Sequence, residues 1–129
     1  MTVELTMLIF SVCLLMLIIL IQASAGILAN GLMAQAGSRD ELPEKAVFHA
    51  RVTRLRDNMM ENLLCFAAVV LVARTIGISN DMTVLGAQLF FYARLAHAVI
   101  YLAGWPLIRP VPFAIAWAGV IMIMIQLFA

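Results

Sequence analysis

A row of polar side chains enters an apolar segment at residues 51–73, RVTRLRDNMMENLLCFAAVVLVA. Arg51, Arg54, Asn58 and Glu61 recur at intervals of three and four residues, so a helix would place them on one face. Guanidinium groups donate paired hydrogen bonds to carboxylates, a carboxylate accepts from an ammonium group, and an amide does both. The row therefore suits a small zwitterionic, peptide-like ligand better than a proton path, because arginine does not titrate.

A second polar row lies in the segment 88–106, where Arg94, His97 and Tyr101 share the same spacing and therefore one helical face. Arg94 would lie near the middle of a lipid-spanning helix, where a lone charge costs at least ~2.5 kcal/mol. We expect it to pair with an acid, and Glu61 is the best candidate. Alone, His97 is typical of a hydrogen-bonded interior histidine, and Tyr101 is typical of an interfacial anchor.

Both rows have a structural and a functional interpretation. Ionisable residues inside a membrane usually face the bundle interior or a wet cavity, and they pair with something. Glu61 paired with Arg54, or with an arginine of the third helix, would form a network that only holds helices together. Alternatively, the two rows converge on a hydrated ligand site between adjacent helices. The residues alone leave both interpretations open.

The elements that carry these rows must lie in lipid. The chain has 129 residues, of which 65% are hydrophobic and 12% charged, and its mean hydropathy is +1.07. A soluble domain of this size could not bury so much apolar surface. The net charge of +1 provides no basic face for nucleic acid. Cys13 and Cys65 lie in apolar runs without metal-ligand spacing, so no metal site is predicted.

Hydropathy predicts an all-α integral membrane fold, a four-helix transmembrane bundle formed by a single membrane domain, residues 1–129. Each apolar run is near the roughly 20 residues that a helix needs to cross a bilayer, and none alternates as a barrel strand would. The first run is predicted to be a retained transmembrane helix and not a signal peptide, because its first charge is Glu4. The predicted spans are 5–28, 52–78, 83–104 and 110–128.

Positive residues are distributed unequally between the two sides of the predicted bundle. One side holds the first and third connections and carries Arg39, Lys45, Arg51, Arg54, Arg56 and Arg109. The other side carries Arg74. Because positive residues favour the cytoplasmic side, we expect the charged first loop in the cytoplasm and both termini outside.

These motifs resemble the MAPEG family, the membrane-associated proteins in eicosanoid and glutathione metabolism. Arg54-x-x-x-Asn58-x-x-Glu61-Asn62 is similar to the signature of the family's second helix. Arg94-Leu-Ala-His97-Ala-Val-Ile-Tyr101, followed by Arg109, resembles the third helix of its microsomal prostaglandin E synthase and glutathione transferase branch. The segment 37–43 is similar to a loop of bacterial members. The resemblance covers essentially the whole chain.

The resemblance implies a homotrimer, in a bacterial inner membrane, that binds glutathione between subunits near the cytoplasmic face. It implies glutathione contacts by position for Arg51, Arg54, Asn58, Glu61, Arg94, His97 and Tyr101, and it makes Arg109 the catalytic residue that stabilises the thiolate. The partners implied are glutathione, the bilayer and a lipophilic small-molecule electrophile or lipid hydroperoxide. Val99 stands where the leukotriene synthase branch places an activating arginine, which argues against leukotriene synthesis.

Two other functions fit a chain of this kind. One is a catalytically silent MAPEG-fold protein that serves as a binding or scaffold subunit, with purely structural polar rows. The other is a small multidrug-type transporter, since those chains also have four spans and an embedded glutamate. Transport is disfavoured because we expect no buried acid on the first helix, and because Glu61 has cationic neighbours.

Overall fold

The computed structural model describes residues 1–38, 47–105 and 107–129, and these residues form helices and no strand. The first-loop residues Arg39 and Lys45 lie outside the described residues. Four of the helices are long and apolar enough to cross a membrane, which confirms the predicted all-α, four-span fold class. In chain order the helices are α1 (Val3–Asn30), α2 (Leu32–Ala36), α3 (Val47–Thr75), α4 (Asp81–Ala103) and α5 (Pro110–Phe128).

Local sequence signals define where α4 begins and ends. Asn80 is its N-cap: the Asn80 side chain accepts from the backbone N–H of Thr83, and the Thr83 hydroxyl accepts from the Asn80 N–H. The helix ends at Gly104, whose φ of 79° lies in the left-handed region that glycine adopts without strain. Pro110 begins α5, a position where proline's missing N–H costs nothing.

The spans pack around a core between α3 and α4. Helix α1 packs against α3 and α4, and α5 packs against the same two helices. Phe66 of α3 stacks on Phe90 of α4 with ring centroids 4.0 Å apart, and both rings are buried. Ile123 of α5 is buried in the same cluster. Apolar packing therefore fixes α3 beside α4, and with them the two polar rows.

Helices α4 and α5 approach closely at a pair of glycines. A Cβ on Gly86 would lie 2.6 Å from the carbonyl oxygen of Gly119, and a Cβ on Gly119 would overlap the carbonyl oxygen of Gly86. Small residues permit such close backbone contact, which is a main source of helix association in lipid. This crossing fixes the position of α5 against α4.

Hydrogen bonds to Glu4 join helices at the end of the bundle that holds both termini. Ser79 Oγ donates to Glu4 Oε1 over 2.9 Å, and Thr83 Oγ1 donates to the same oxygen over 2.5 Å. Glu4 is only 4% exposed. The expectation that the first helix has no buried acid is therefore wrong. The helix begins at Val3, so the first turn of α1 packs against the turn between α3 and α4 and encloses the carboxylate.

Candidate functional site

The two polar rows contact each other at the opposite end of the bundle, where α3 begins and α4 ends. Arg54 Nε donates to Tyr101 Oη over 3.2 Å. One turn further along α3, Arg94 Nη2 donates to Asn58 Oδ1 over 2.7 Å. Because α3 and α4 run antiparallel, their like-spaced residues meet in two successive layers. The structure therefore brings together four of the predicted site residues.

Arg94 is buried without an acidic partner among the residues that the structure describes. The residue is 1% exposed, and its Nε donates to the sulfur of Met59 over 3.4 Å. The expected salt bridge with Glu61 is wrong for this chain, because the one salt bridge among the described residues joins Arg56 to Asp57. Glu61 is exposed on α3. The rotation of α3 turns Asn58 and Met59 toward α4, so an amide and a thioether reach Arg94 instead of the carboxylate.

Arg54 also lacks the salt bridge with Glu61 that the structural interpretation expects. Its side chain is exposed and bonds Tyr101 across the helix pair. Arg51 has a different partner again, because its Nη1 donates to the backbone carbonyl of Leu102 over 3.3 Å. A cation at the C-terminal end of a helix satisfies a free carbonyl and favours the helix dipole. Arg51 thus caps α4, next to Gly104.

Tyr101 is the centre of an aromatic and cationic cluster. The guanidinium carbon of Arg109 lies 4.6 Å from the centroid of the Tyr101 ring, within the range of a cation–π interaction. The His97 ring also belongs to this cluster, because its centroid lies 5.5 Å from that of the Tyr101 ring. Arg109 follows α4 in the chain, so the turn between α4 and α5 returns it to the end of the row.

Three buried nitrogen atoms in this region have no hydrogen-bond partner among the residues that the structure describes. They are Arg94 Nη1, His97 Nδ1 and Arg109 Nε. A buried polar group without a partner is expensive, and guanidinium donors suit carboxylate oxygens in particular. The guanidinium donors therefore fit a small molecule that carries carboxylates.

Arg56, which was not predicted as part of the site, forms a salt bridge with Asp57 next to the polar row of α3. Arg56 Nη2 donates to Asp57 Oδ1 over 2.8 Å, and Arg56 Nη1 donates to Gln22 of α1 over 3.3 Å. Asp57 therefore faces its own counter-ion. The signal was present in the sequence as adjacent opposite charges, but the contact with Gln22 depends on how α1 packs on α3.

Four apolar helices of spanning length define an integral membrane protein. Guanidinium, amide and phenol groups form a polar site at one end of its helix bundle. The model of the MAPEG family matches residues 5–129, essentially the whole chain. The chain belongs to the MAPEG family, which confirms the resemblance carried by the two rows. Comparisons with curated proteins and with solved structures found no match.

Proposed function

We propose that the protein is a membrane-bound, glutathione-dependent transferase or peroxidase that acts on lipophilic electrophiles or lipid hydroperoxides. Membership of the MAPEG family supports glutathione-linked chemistry at the level of the family. The observation that carries the proposal for this chain is the cluster of Arg54, Tyr101 and Arg109 at the end of the polar rows. It combines an exposed guanidinium, a phenol and a second guanidinium within one contact network.

The proposed binding roles follow from charge and exposure. Exposed Arg54 and the unpartnered Nη1 of buried Arg94 are donors for the two carboxylates of glutathione, and exposed Glu61 is an acceptor for its ammonium group. Asn58 and His97 complete the polar contacts. Arg51 acts mainly by holding the end of α4 in place.

We also propose that the site is completed by a neighbouring copy in a homotrimer. Glu61 is exposed on α3, a helix that has the length and composition of a membrane span. A carboxylate facing hydrocarbon is expensive, so an exposed one on a span indicates a polar or protein surface opposite. A subunit interface on this face of α3 would supply that surface, and it would close the ligand site.

In the proposed chemistry, Arg109 favours the anionic form of the glutathione thiol. Only the thiolate attacks electrophiles, and an ordinary thiol of this kind has a pKa of about 8.5. Lowering that pKa by about two units requires about 2.7 kcal/mol of preferential stabilisation of the anion. The guanidinium of Arg109 supplies positive charge, and the Tyr101 ring beneath it holds its position. A lipophilic substrate would reach the sulfur from the bilayer.

The test is a calorimetric titration of the detergent-purified protein with glutathione, together with ultraviolet absorbance of the bound thiolate. We expect Arg109→Ala to abolish the thiolate signal, while Glu61→Gln weakens binding by about tenfold through loss of a charge-assisted hydrogen bond. Arg74→Ala is the matched control, because Arg74 is an exposed arginine at the other end of α3. An unshifted thiol pKa in the wild-type complex would refute the activation step.

A catalytically silent binding or scaffold protein is the second candidate. It is favoured by the internal hydrogen bonds of Arg54 and Arg94, which join α3 directly to α4. In that case Arg54→Ala would lower thermal stability, and the wild type would show no heat of glutathione binding. Proton-coupled efflux from vesicles would instead support the transporter interpretation.

We propose a location in a bacterial inner membrane with the arginine-rich end of the bundle in the cytoplasm. The positive residues Arg51, Arg54, Arg56 and Arg109 lie at that end, and Arg74 lies near the other. Cysteine-accessibility labelling of intact cells at Ser38 and Ser79, each changed to cysteine, tests the orientation. Labelling of Ser38→Cys by a membrane-impermeant reagent would overturn it.

A further inference from the structure

A buried histidine lies where α1, α2 and α3 meet at the arginine-rich end of the bundle. His49, in the first turn of α3, is 4% exposed. Its ring packs against α1 at Gly26, where an added Cβ would lie 3.2 Å from His49 Cε1 and would overlap the Gln35 amide of α2. The ring therefore occupies a junction of three helices, on the side of α3 that faces α1.

A chain of hydrogen bonds joins this histidine to an arginine of the same helix by way of α1. Arg56 Nη1 donates to Gln22 Oε1 over 3.3 Å, and Gln22 Nε2 lies 3.3 Å from His49 Nε2. A guanidinium has donors and no acceptor, so the Gln22 oxygen faces Arg56 and the Gln22 NH2 group faces the imidazole. His49 Nε2 must then accept, which it can do only in a neutral ring.

We propose that this chain is a pH-sensitive contact between α1 and α3, complete when His49 is neutral and broken when His49 gains a proton. A proton on Nε2 turns that atom into a donor, and it then faces the NH2 group of Gln22. Rotating the amide restores the bond to His49 but places the NH2 group against the guanidinium of Arg56. One of the two bonds is lost in either orientation. The proposal does not depend on glutathione chemistry.

The charges on the helices around His49 do not compensate an added proton. The one charged side chain of α1 lies at the other end of that helix, and α2 has none. On α3, Arg51 and Arg54 bond groups of α4. Arg56 reaches α1, and its charge is paired with that of Asp57. Within these three helices, the group that responds to a proton on the imidazole is therefore the Gln22 amide.

Acid should weaken the folded protein through this contact. The unfolded chain binds a proton at His49 without losing a bond, so the unfolded state binds more protons as the pH falls, and stability falls with it. An imidazole ordinarily titrates at about pH 6.5, which places the change between about pH 8 and pH 5.5. The chain has two histidines, so substituting His97 leaves His49 as the one imidazole that titrates in this window.

Nitrogen-15 NMR of the histidine-labelled protein in nanodiscs tests the protonation state directly. We expect His49 Nε2 to carry no proton at about pH 8 and to gain one by about pH 5.5. The spectrum of His97→Asn assigns the signal, since it retains His49 alone. A proton on His49 Nε2 at the higher pH would overturn the proposal.

Equilibrium unfolding in detergent tests the effect on the helices, with His97→Asn as the starting protein. Between about pH 8 and pH 5.5 its unfolding constant should rise about fivefold more than that of a protein that also carries His49→Gln, which is the loss of one hydrogen bond. Arg56→Met frees the Gln22 amide to rotate, so it should remove this excess although His49 remains. Arg74→Met, at the other end of α3, should retain the excess.

Equal pH dependence with and without His49 would overturn the proposal. An excess that persists in Arg56→Met would overturn it as well, because the amide would then not be held in one orientation by the guanidinium. Arg56→Met keeps the histidine, so it gives this answer even if His49→Gln does not fold, which circular dichroism would reveal.

Discussion

Removing the amide of Asn58 should show how the membrane-buried Arg94 is stabilised. Arg94 is 1% exposed, and the short bond to Asn58 Oδ1 is its only hydrogen bond to oxygen within the described chain. Asn58→Ala leaves the guanidinium with the sulfur of Met59 as its remaining partner. A hydrogen bond to a charged group contributes about 1.5–3 kcal/mol, so we expect the free energy of unfolding to fall by that amount.

The companion change, Arg94→Met, should behave differently. It removes a charge that has no acid beside it in the described parts of the chain, and it fills the space with an apolar side chain of similar length. Replacing buried charges by well-packed apolar groups is often neutral or stabilising, so we expect a change within about 1 kcal/mol of the wild type. In the Arg94→Met background Asn58→Ala should then cost little, which gives a coupling energy of about 1.5–3 kcal/mol between the two positions.

Equilibrium unfolding in detergent, followed by circular dichroism, measures all four proteins of this double-mutant cycle. Asn62→Ala is the matched control, because the Asn62 amide donates to the backbone carbonyl of Asn58 and does not touch Arg94. Its effect should be the same with and without Arg94. The reasoning is refuted if Asn58→Ala costs as much in the Arg94→Met background as it does in the wild type.

Three further changes test separate parts of the molecule. Gly119→Val should lower the free energy of unfolding by about 3 kcal/mol, because a Cβ there overlaps α4. The control Gly37→Val should change it by less than about 0.5 kcal/mol, because a Cβ at Gly37 would have no neighbouring atom nearer than 3.5 Å. Equal effects of the two changes would contradict the close crossing of α4 and α5. Glu4→Ala should lower the free energy of unfolding by about 2 kcal/mol, because it removes the hydrogen bonds from the hydroxyls of Ser79 and Thr83. Glutathione affinity should not change. Unaltered thermal unfolding would contradict the stabilising role of Glu4. Tyr101→Phe keeps the ring but removes the acceptor for Arg54, so calorimetry should show about five- to tenfold weaker glutathione binding; unchanged affinity would remove Tyr101 from the proposed site.

Hydropathy was sufficient to predict the fold class, but side-chain partners were predicted less well. The spacing of Arg54 and Tyr101 predicts one face on each of two helices, and the structure joins them by a hydrogen bond. The same spacing does not reveal how α3 is rotated about its axis. The sequence therefore predicts Glu61 beside Arg94, whereas the structure places the Asn58 amide oxygen there.

The sequence by itself determined that the chain lies in a membrane as four helices. A bilayer requires backbone polar groups to be hydrogen-bonded within the protein, and long apolar runs without alternation satisfy this as helices. It also determined the chemical character of the two rows and the family to which they belong. Only the tertiary structure decided which groups meet: Glu4 with Ser79 and Thr83, Arg94 with Asn58. Those contacts depend on how each helix is rotated and where α4 crosses its neighbours, and packing of small and large side chains from distant segments sets both.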